Sequence, residues 1–296
     1  MSMHKVHLVG AGPGDPELLT RKAWRVIREA SLILVDELVG AGLLDAVLEG
    51  VEPRPRVVAV GKRGGCRSTP QAFIERLMVR AAGAGERVVR LKGGDPLVFG
   101  RAGEEMAALA AAGIGFEVVN GITSGLAAAS ALGACWTDRR CGAAGVMLVT
   151  GHSQPGSAGP DWDALAAAAA AGVTLVIYMG VARAPALVAG RRARLPDSTP
   201  AAIVQHAATP AERSALCTLG SLVPTIDQGG FASPAILMIG AVLEFALAAT
   251  GDSESAGVGS PPGRAACAAA RRFDDQSAFS PSSWTSLDQR SEYSVR

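Results

Sequence analysis

The sequence predicts an α/β protein, and three observations carry that prediction. Short apolar runs alternate with helical segments through most of the chain. The runs are continuous in Val, Ile and Leu rather than strictly alternating, as strands are when helices cover both faces of a sheet. Most runs also stop at glycines or polar residues, the places where open α/β sheets gather their ligands.

Residues 6–9 form the first expected strand, which ends in Gly10-Ala11-Gly12-Pro13-Gly14-Asp15. Asp15-Pro16-Glu17 has the form of a helix start: a capping carboxylate, a proline at the first helical position and an acid in the first turn. Residues 32–35 end at Asp36, residues 57–60 at Gly61-Lys62-Arg63-Gly64-Gly65, and residues 88–91 at Lys92-Gly93-Gly94-Asp95-Pro96, where Asp-Pro again suggests a helix start. Residues 116–119 run into Asn120-Gly121-Ile122-Thr123-Ser124, residues 146–150 into Gly151-His152, and residues 173–178 into Met179-Gly180. Strands over 201–204 and 235–239 complete the set. The uncharged stretch 164–182 has the length of a membrane span, but it is rich in alanine and divided by Gly172, so it reads as helix, turn and strand. The polar strand ends concentrate before Asn120, which divides the chain into expected domains over 1–119 and 120–249. From 250 to 296 serine, glycine, proline and scattered charge replace the apolar periodicity, the composition of a disordered tail.

The chain has 28 Lys and Arg against 27 Asp and Glu, too even a balance for an extended nucleic-acid surface, so any polyanion must meet a local basic cluster. The start of the chain lacks the charged and apolar regions of a secretory signal, which points to the cytoplasm. The five cysteines show no CxxC spacing and read as idle thiols rather than as a metal site.

The loop over 10–14 resembles a dinucleotide fingerprint with Asp36 as its ribose acid, but Asp15 stands where the third glycine belongs and Pro13 stiffens the turn. A nicotinamide-dependent oxidoreductase therefore has only this loop in its favour. Two strand ends with paired glycines and Asp-Pro, and a third glycine-rich turn over 61–65, instead suggest a crevice where backbone approaches a ligand closely. By position alone, Asp36 is equally well a strand-end acid capping its loop. His152 and His206 read as hydrogen-bonded loop histidines.

Together, Gly10-Ala11-Gly12-Pro13-Gly14-Asp15-Pro16-Glu17-Leu18-Leu19-Thr20, Val60-Gly61-Lys62-Arg63-Gly64-Gly65 and Arg90-Leu91-Lys92-Gly93-Gly94-Asp95-Pro96-Leu97-Val98-Phe99-Gly100-Arg101 resemble the signature blocks of the uroporphyrinogen-III C-methyltransferases, within the tetrapyrrole methylases. With Gly121-Ile122-Thr123-Ser124 and Ala232-Ser233-Pro234-Ala235, the resemblance spans residues 4 to about 246. It implies two α/β domains with the ligand cleft between them, S-adenosylmethionine as methyl donor, no metal, uroporphyrinogen III as acceptor and a homodimer. It assigns donor contacts to Pro13, Gly93, Gly94, Asp95, Val98, Thr123, Ser124, Met179 and Ala207, the proton acceptor to Asp36 and the proton donor to Lys62. A carboxylate-rich acceptor needs cations near the cleft, and Arg63, Lys92, Arg101 and Arg139 lie in or beside these loops, with Arg67 a surface charge when taken singly.

The chain departs from the family pattern at Val35 and Glu37, which flank Asp36, at Cys135-Trp136-Thr137-Asp138-Arg139 and at Ala207-Ala208. An aspartate near such a substrate must be paired, and Arg139 or Arg140 is the expected partner of Asp138. The alternatives to methylation of uroporphyrinogen III are methylation of a later corrin-ring intermediate and a non-catalytic ligand-binding relative.

Overall fold

A computed structural model of the protein describes residues 5–61, 69–152, 159–190 and 194–246, so the expected tail over 250–296 lies outside the described residues. Two five-stranded sheets hold the described chain together. The first is wholly parallel, in the order β3 (Arg56–Ala59), β2 (Leu32–Val35), β4 (Val88–Lys92), β1 (Val6–Gly10) and β5 (Phe116–Val119).

Side chains alternate across this sheet, and its two faces bury different sets. Val9, Ile33, Val35, Val89 and Leu91 pack under α1 (Arg21–Arg28) and α2 (Ala41–Val47). Val6, Leu8, Leu32, Leu34 and Val88 pack under α3 (Gln71–Gly83) and α4 (Ala102–Ala111). Leu8, Leu32, Ile33, Leu34 and Leu91 are fully buried, each contributing roughly 1.5–3 kcal/mol of hydrophobic stabilisation. The chain leaves β1 and β2 toward the first face and β4 toward the second. The connections therefore switch faces on both sides of β4, the position at which such sheets bind ligands.

The second sheet runs β6 (Gly145–Thr150), β7 (Val173–Tyr178), β10 (Ala235–Ile239), β8 (Pro200–Gln205) and β9 (Arg213–Thr218). Only β6 and β7 are parallel; β10 is antiparallel to both of its neighbours, and β8 to β9. The apolar runs of β7, β8 and β10 are just as continuous, because burial on both faces sets their composition irrespective of strand direction. One face meets α5 (Ser124–Ala131), and the other meets α6 (Trp162–Ala170), α7 (Ala184–Gly190) and α8 (Leu222–Gly229). The stretch 164–182 is the helix, turn and strand of α6 and β7, and no helix among the described residues is long and apolar enough to cross a membrane.

Three expectations change. Asp15 does cap, accepting from the Glu17 amide at 2.8 Å, but it opens only a 3-10 turn (Pro16–Leu18); α1 starts after Thr20, whose hydroxyl accepts from Ala23 N at 3.1 Å. Asp95-Pro96 starts no helix, since α4 begins at Ala102 and the Asp95 carboxylate is drawn to the loop after β5. Strand β9 was not expected: it is a sheet edge with an alternating exposed face, and Arg213-Ser214-Ala215-Leu216-Cys217-Thr218 holds only three apolar residues between polar ends.

Candidate active site

The loops after β1, β4 and β5 meet backbone to backbone. Gly12 and Gly94 form an isolated bridge, with Gly94 N donating to Gly12 O at 2.7 Å and Gly12 N to Gly94 O at 3.2 Å. A Cβ on Gly10 would stand 2.6 Å from both Gly121 N and Gly94 O, so glycine there serves the seam between loops rather than a ligand. Asp95 locks the seam: Oδ1 accepts from Leu97 N at 2.8 Å, and Oδ2 accepts from Gly121 N at 3.0 Å and from Asn120 Nδ2 at 3.1 Å. Gly94 differs from Gly10 in having a positive φ of 67° and only ordinary contacts, the nearest being Ser124 N and Thr123 Cα at 3.8 Å from a built Cβ.

Across the seam stands the end of β7. Tyr178 Oη accepts from Gly125 N at 3.0 Å and bonds Thr123 Oγ1 at 2.7 Å, and the Phe99 ring lies over it at 5.0 Å between centroids. Burial pushes the Tyr178 hydroxyl pKa up, so the group stays protonated. Val98 packs against the core of the second sheet, and a Cβ on Gly14 would meet Ala208 O at 3.1 Å. Among the described residues, the non-glycine residues with left-handed backbone are Phe99, Arg101, Met179, His206 and Ala208, all following β4, β7 or β8. Strain of this kind concentrates where a chain holds backbone groups to a task.

Behind Asp36 lies an ionic cluster. The Arg90 guanidinium donates to Asp36 Oδ1 through one terminal nitrogen, and its Nε donates to Glu105 Oε1 at 2.9 Å. Lys92 Nζ donates to both Glu105 oxygens at 3.1 Å and lies 3.9 Å from Asp36 Oδ2. Arg90, Lys92 and Glu105 are buried, whereas the Asp36 side chain is 30% exposed, so two cations and two anions balance with one carboxylate reaching outward. Burial lowers the Lys92 pKa, with the Arg90 charge acting in the same direction, while Glu105 and Asp36 act against them.

The structure thus brings Gly93, Gly94, Asp95, Val98, Thr123 and Ser124 to one seam, adjoining Met179 and the buried Ala207. Pro13 lies between the bridged Gly12 and the Gly14 contact with Ala208. Lys62, Arg63 and Arg67 lie outside the described residues. Lys92, grouped with the substrate cations on sequence, has its ammonium turned to Glu105 inside the fold. Arg101 is exposed and paired with Glu104 at 2.7 Å, and Arg139 is exposed in a 3-10 turn (Arg139–Cys141). Asp138 pairs with Arg140 at 2.6 Å, and that guanidinium also lies over the Phe245 ring, 4.1 Å from its centroid. Arg90, Glu105 and Tyr178 had not been singled out. The available signal was Arg90 and Lys92 at i and i+2, two cations on one face of an otherwise apolar strand.

Residues 5–223 match the Tetrapyrrole (Corrin/Porphyrin) Methylases. The chain belongs to this family. The methylase is 51% identical over 239 residues to the uroporphyrinogen-III C-methyltransferase of Pseudomonas aeruginosa, covering 80% of this chain and 94% of that protein. It is 46% identical to a siroheme synthase of Chromobacterium violaceum, spanning 81% of this chain but 50% of that protein. A solved structure of the uroporphyrin-III C-methyl transferase from Thermus thermophilus, complexed with S-adenyl homocysteine, is similar at 39% identity and a TM-score of 0.67, covering 81% of this chain and 99% of that one.

Proposed function

We propose that the methylase transfers methyl groups from S-adenosylmethionine to carbon atoms of uroporphyrinogen III, twice in succession, yielding precorrin-2 for sirohaem or cobalamin synthesis. The observation that carries this is the 51% identity to a uroporphyrinogen-III C-methyltransferase, sustained across nearly all of that protein. Cytoplasmic location and a homodimer follow the resemblance, and the near-neutral charge favours a small substrate over nucleic acid.

The residues present fit the donor. Gly94 in a left-handed conformation facing the start of α5, with Met179 and Ala208 at φ 53° and 57°, offers backbone groups with little side-chain bulk for adenosine and its amino-acid end. When bound, the donor supplies a sulfonium methyl group to a nucleophilic pyrrole carbon: a C–C bond forms, the C–S bond breaks and the thioether leaves. The protein's share is largely positioning and exclusion of water. Leu97, Phe99 and Met179 are exposed apolar side chains around the seam, suited to the face of a macrocycle, and Arg101 and Arg139 are exposed cations suited to its carboxylates. Asp36 takes the proton that the methylated macrocycle loses. Its Oδ1 is held by Arg90, while Oδ2 stands 3.9 Å from Lys92, beyond hydrogen-bonding distance.

The test is to incubate the protein with isotopically labelled donor and uroporphyrinogen III under reducing conditions and weigh the product. A macrocycle heavier by two labelled methyl groups is expected. Donor binding without any heavier product would overturn the acceptor assignment, and transfer only to a later corrin-ring intermediate would replace it.

A further inference from the structure

Arg90 and Lys92 are buried side by side on one strand, and two like charges so placed repel each other unless an anion lies between them. Glu105 supplies that anion from α4. It is fully buried, accepts from Arg90 Nε at 2.9 Å and receives the Lys92 ammonium on both oxygens at 3.1 Å. Gln71 of α3 also points its amide at Glu105 Oε1, at 3.4 Å. The Lys92 stem passes beneath Gly100, where a Cβ would stand 3.1 Å from Cε. Arg90 in turn donates to the carbonyls of Leu34 and Leu91 at 3.3 and 3.2 Å, leaving a terminal nitrogen aimed at Asp36. So the guanidinium that holds Asp36 is itself held on its far side by a residue sealed from the cleft.

We propose that Glu105 is a positioning residue for proton removal: from behind the sheet it clamps Arg90 and Lys92, and through Arg90 it aims the Asp36 carboxylate into the crevice. This rests on the methyl-transfer role of Asp36 proposed above. Glu105 never touches substrate. A purely structural brace would set only the amount of folded protein, whereas a clamp sets the rate of each folded molecule.

Glu105→Gln keeps the shape and removes the charge, and it turns an amide N–H₂ toward one of the two cations. In folded protein, single-turnover formation of the methylated, deprotonated product should fall by about tenfold or more, because the base that takes the proton after transfer is no longer fixed in direction, while donor affinity should stay within about twofold. Glu105→Asp withdraws the carboxylate but keeps its charge, and should recover part of the lost rate. A second measurement needs no substrate. The chain has four lysines, Lys5, Lys22, Lys62 and Lys92, so carbon-13 labelling of the lysine side chains followed by NMR titration separates Lys92 from the rest. Among the described residues Arg90, Glu105, Asp36 and the more distant Glu104 act on Lys92, and losing the Glu105 charge should move the Lys92 titration to lower pH.

Wild-type turnover per folded molecule in Glu105→Gln, or an unmoved Lys92 titration, overturns the clamp. If Glu105→Gln does not fold, Glu105→Asp carries the test: both effects are expected in the same directions but smaller, and wild-type values in both would overturn it. A Lys92 titration that moves in a protein whose wild type transfers no methyl group would instead sink the acceptor assignment and leave the ionic clamp standing.

Discussion

Asp36 shows how one residue can be half legible. Its place at the end of a four-residue apolar run puts a carboxylate at the mouth of a crevice, and that much is local. Its partner is not, because Arg90 is 54 residues away in sequence and the two meet only when β2 and β4 pair. The pairing changes what substitution should do. Asp36→Asn retains an acceptor for Arg90 but removes a charge, so a stability loss of about 1–3 kcal/mol is expected, softened because Glu105 still neutralises Arg90. Loss of the base should lower single-turnover formation of the methylated, deprotonated product by about a hundredfold with donor affinity nearly unchanged. Thermal melting, donor calorimetry and a rapid-quench rate separate the two effects. Normal turnover per folded molecule would remove Asp36 from proton transfer and leave Lys62 as the candidate.

At the scale of elements, the glycine-rich loops were legible as loops but not in their purpose. The sequence suggests that the glycines let a ligand approach; the structure shows that several of them let other loops approach. Gly10, with Gly121 N and Gly94 O each 2.6 Å from a built Cβ, is the clearest case. Gly10→Ala must push apart backbone of two other loops and is expected to cost about 2–3 kcal/mol in denaturant unfolding, with weaker donor binding as the seam shifts. Gly103, near the start of α4 with open space around it, is the control: Gly103→Ala should be neutral or stabilise by about half a kcal/mol. Equal unfolding midpoints for the two variants would show that the seam yields more easily than its contacts suggest. The unexpected edge strand β9 has a related cause, since with one strand neighbour and an exposed face it needs few apolar side chains to form.

For the molecule as a whole, 80% of the chain aligns with 94% of a relative, and among the described residues the core clusters reach Leu243, with Ala246 packed beside it. A chain ending at residue 249 should therefore keep its melting temperature within a few degrees, bind donor as tightly and transfer methyl groups at the full-length rate. Aggregation of the shortened chain, or loss of most of its activity, would show that residues 250–296 take part in the working protein.

The sequence by itself determined nine of the ten described strands, the alternation of strands with helices, the loops that gather at strand ends and the membership of the methylases. These are recorded in periodicity and in short contiguous motifs, because burial imposes a pattern on neighbouring residues wherever a strand or helix faces a core. Only the tertiary structure decided that Arg90 and Lys92 turn inward to Glu105, that Asp138 takes Arg140 rather than Arg139, that the second sheet is mixed, and that Tyr178 joins Thr123 and Gly125 across the seam. A charge carries no mark in sequence of which distant charge will neutralise it. That choice is made when the sheets pack, by the desolvation cost of leaving any one of these groups alone.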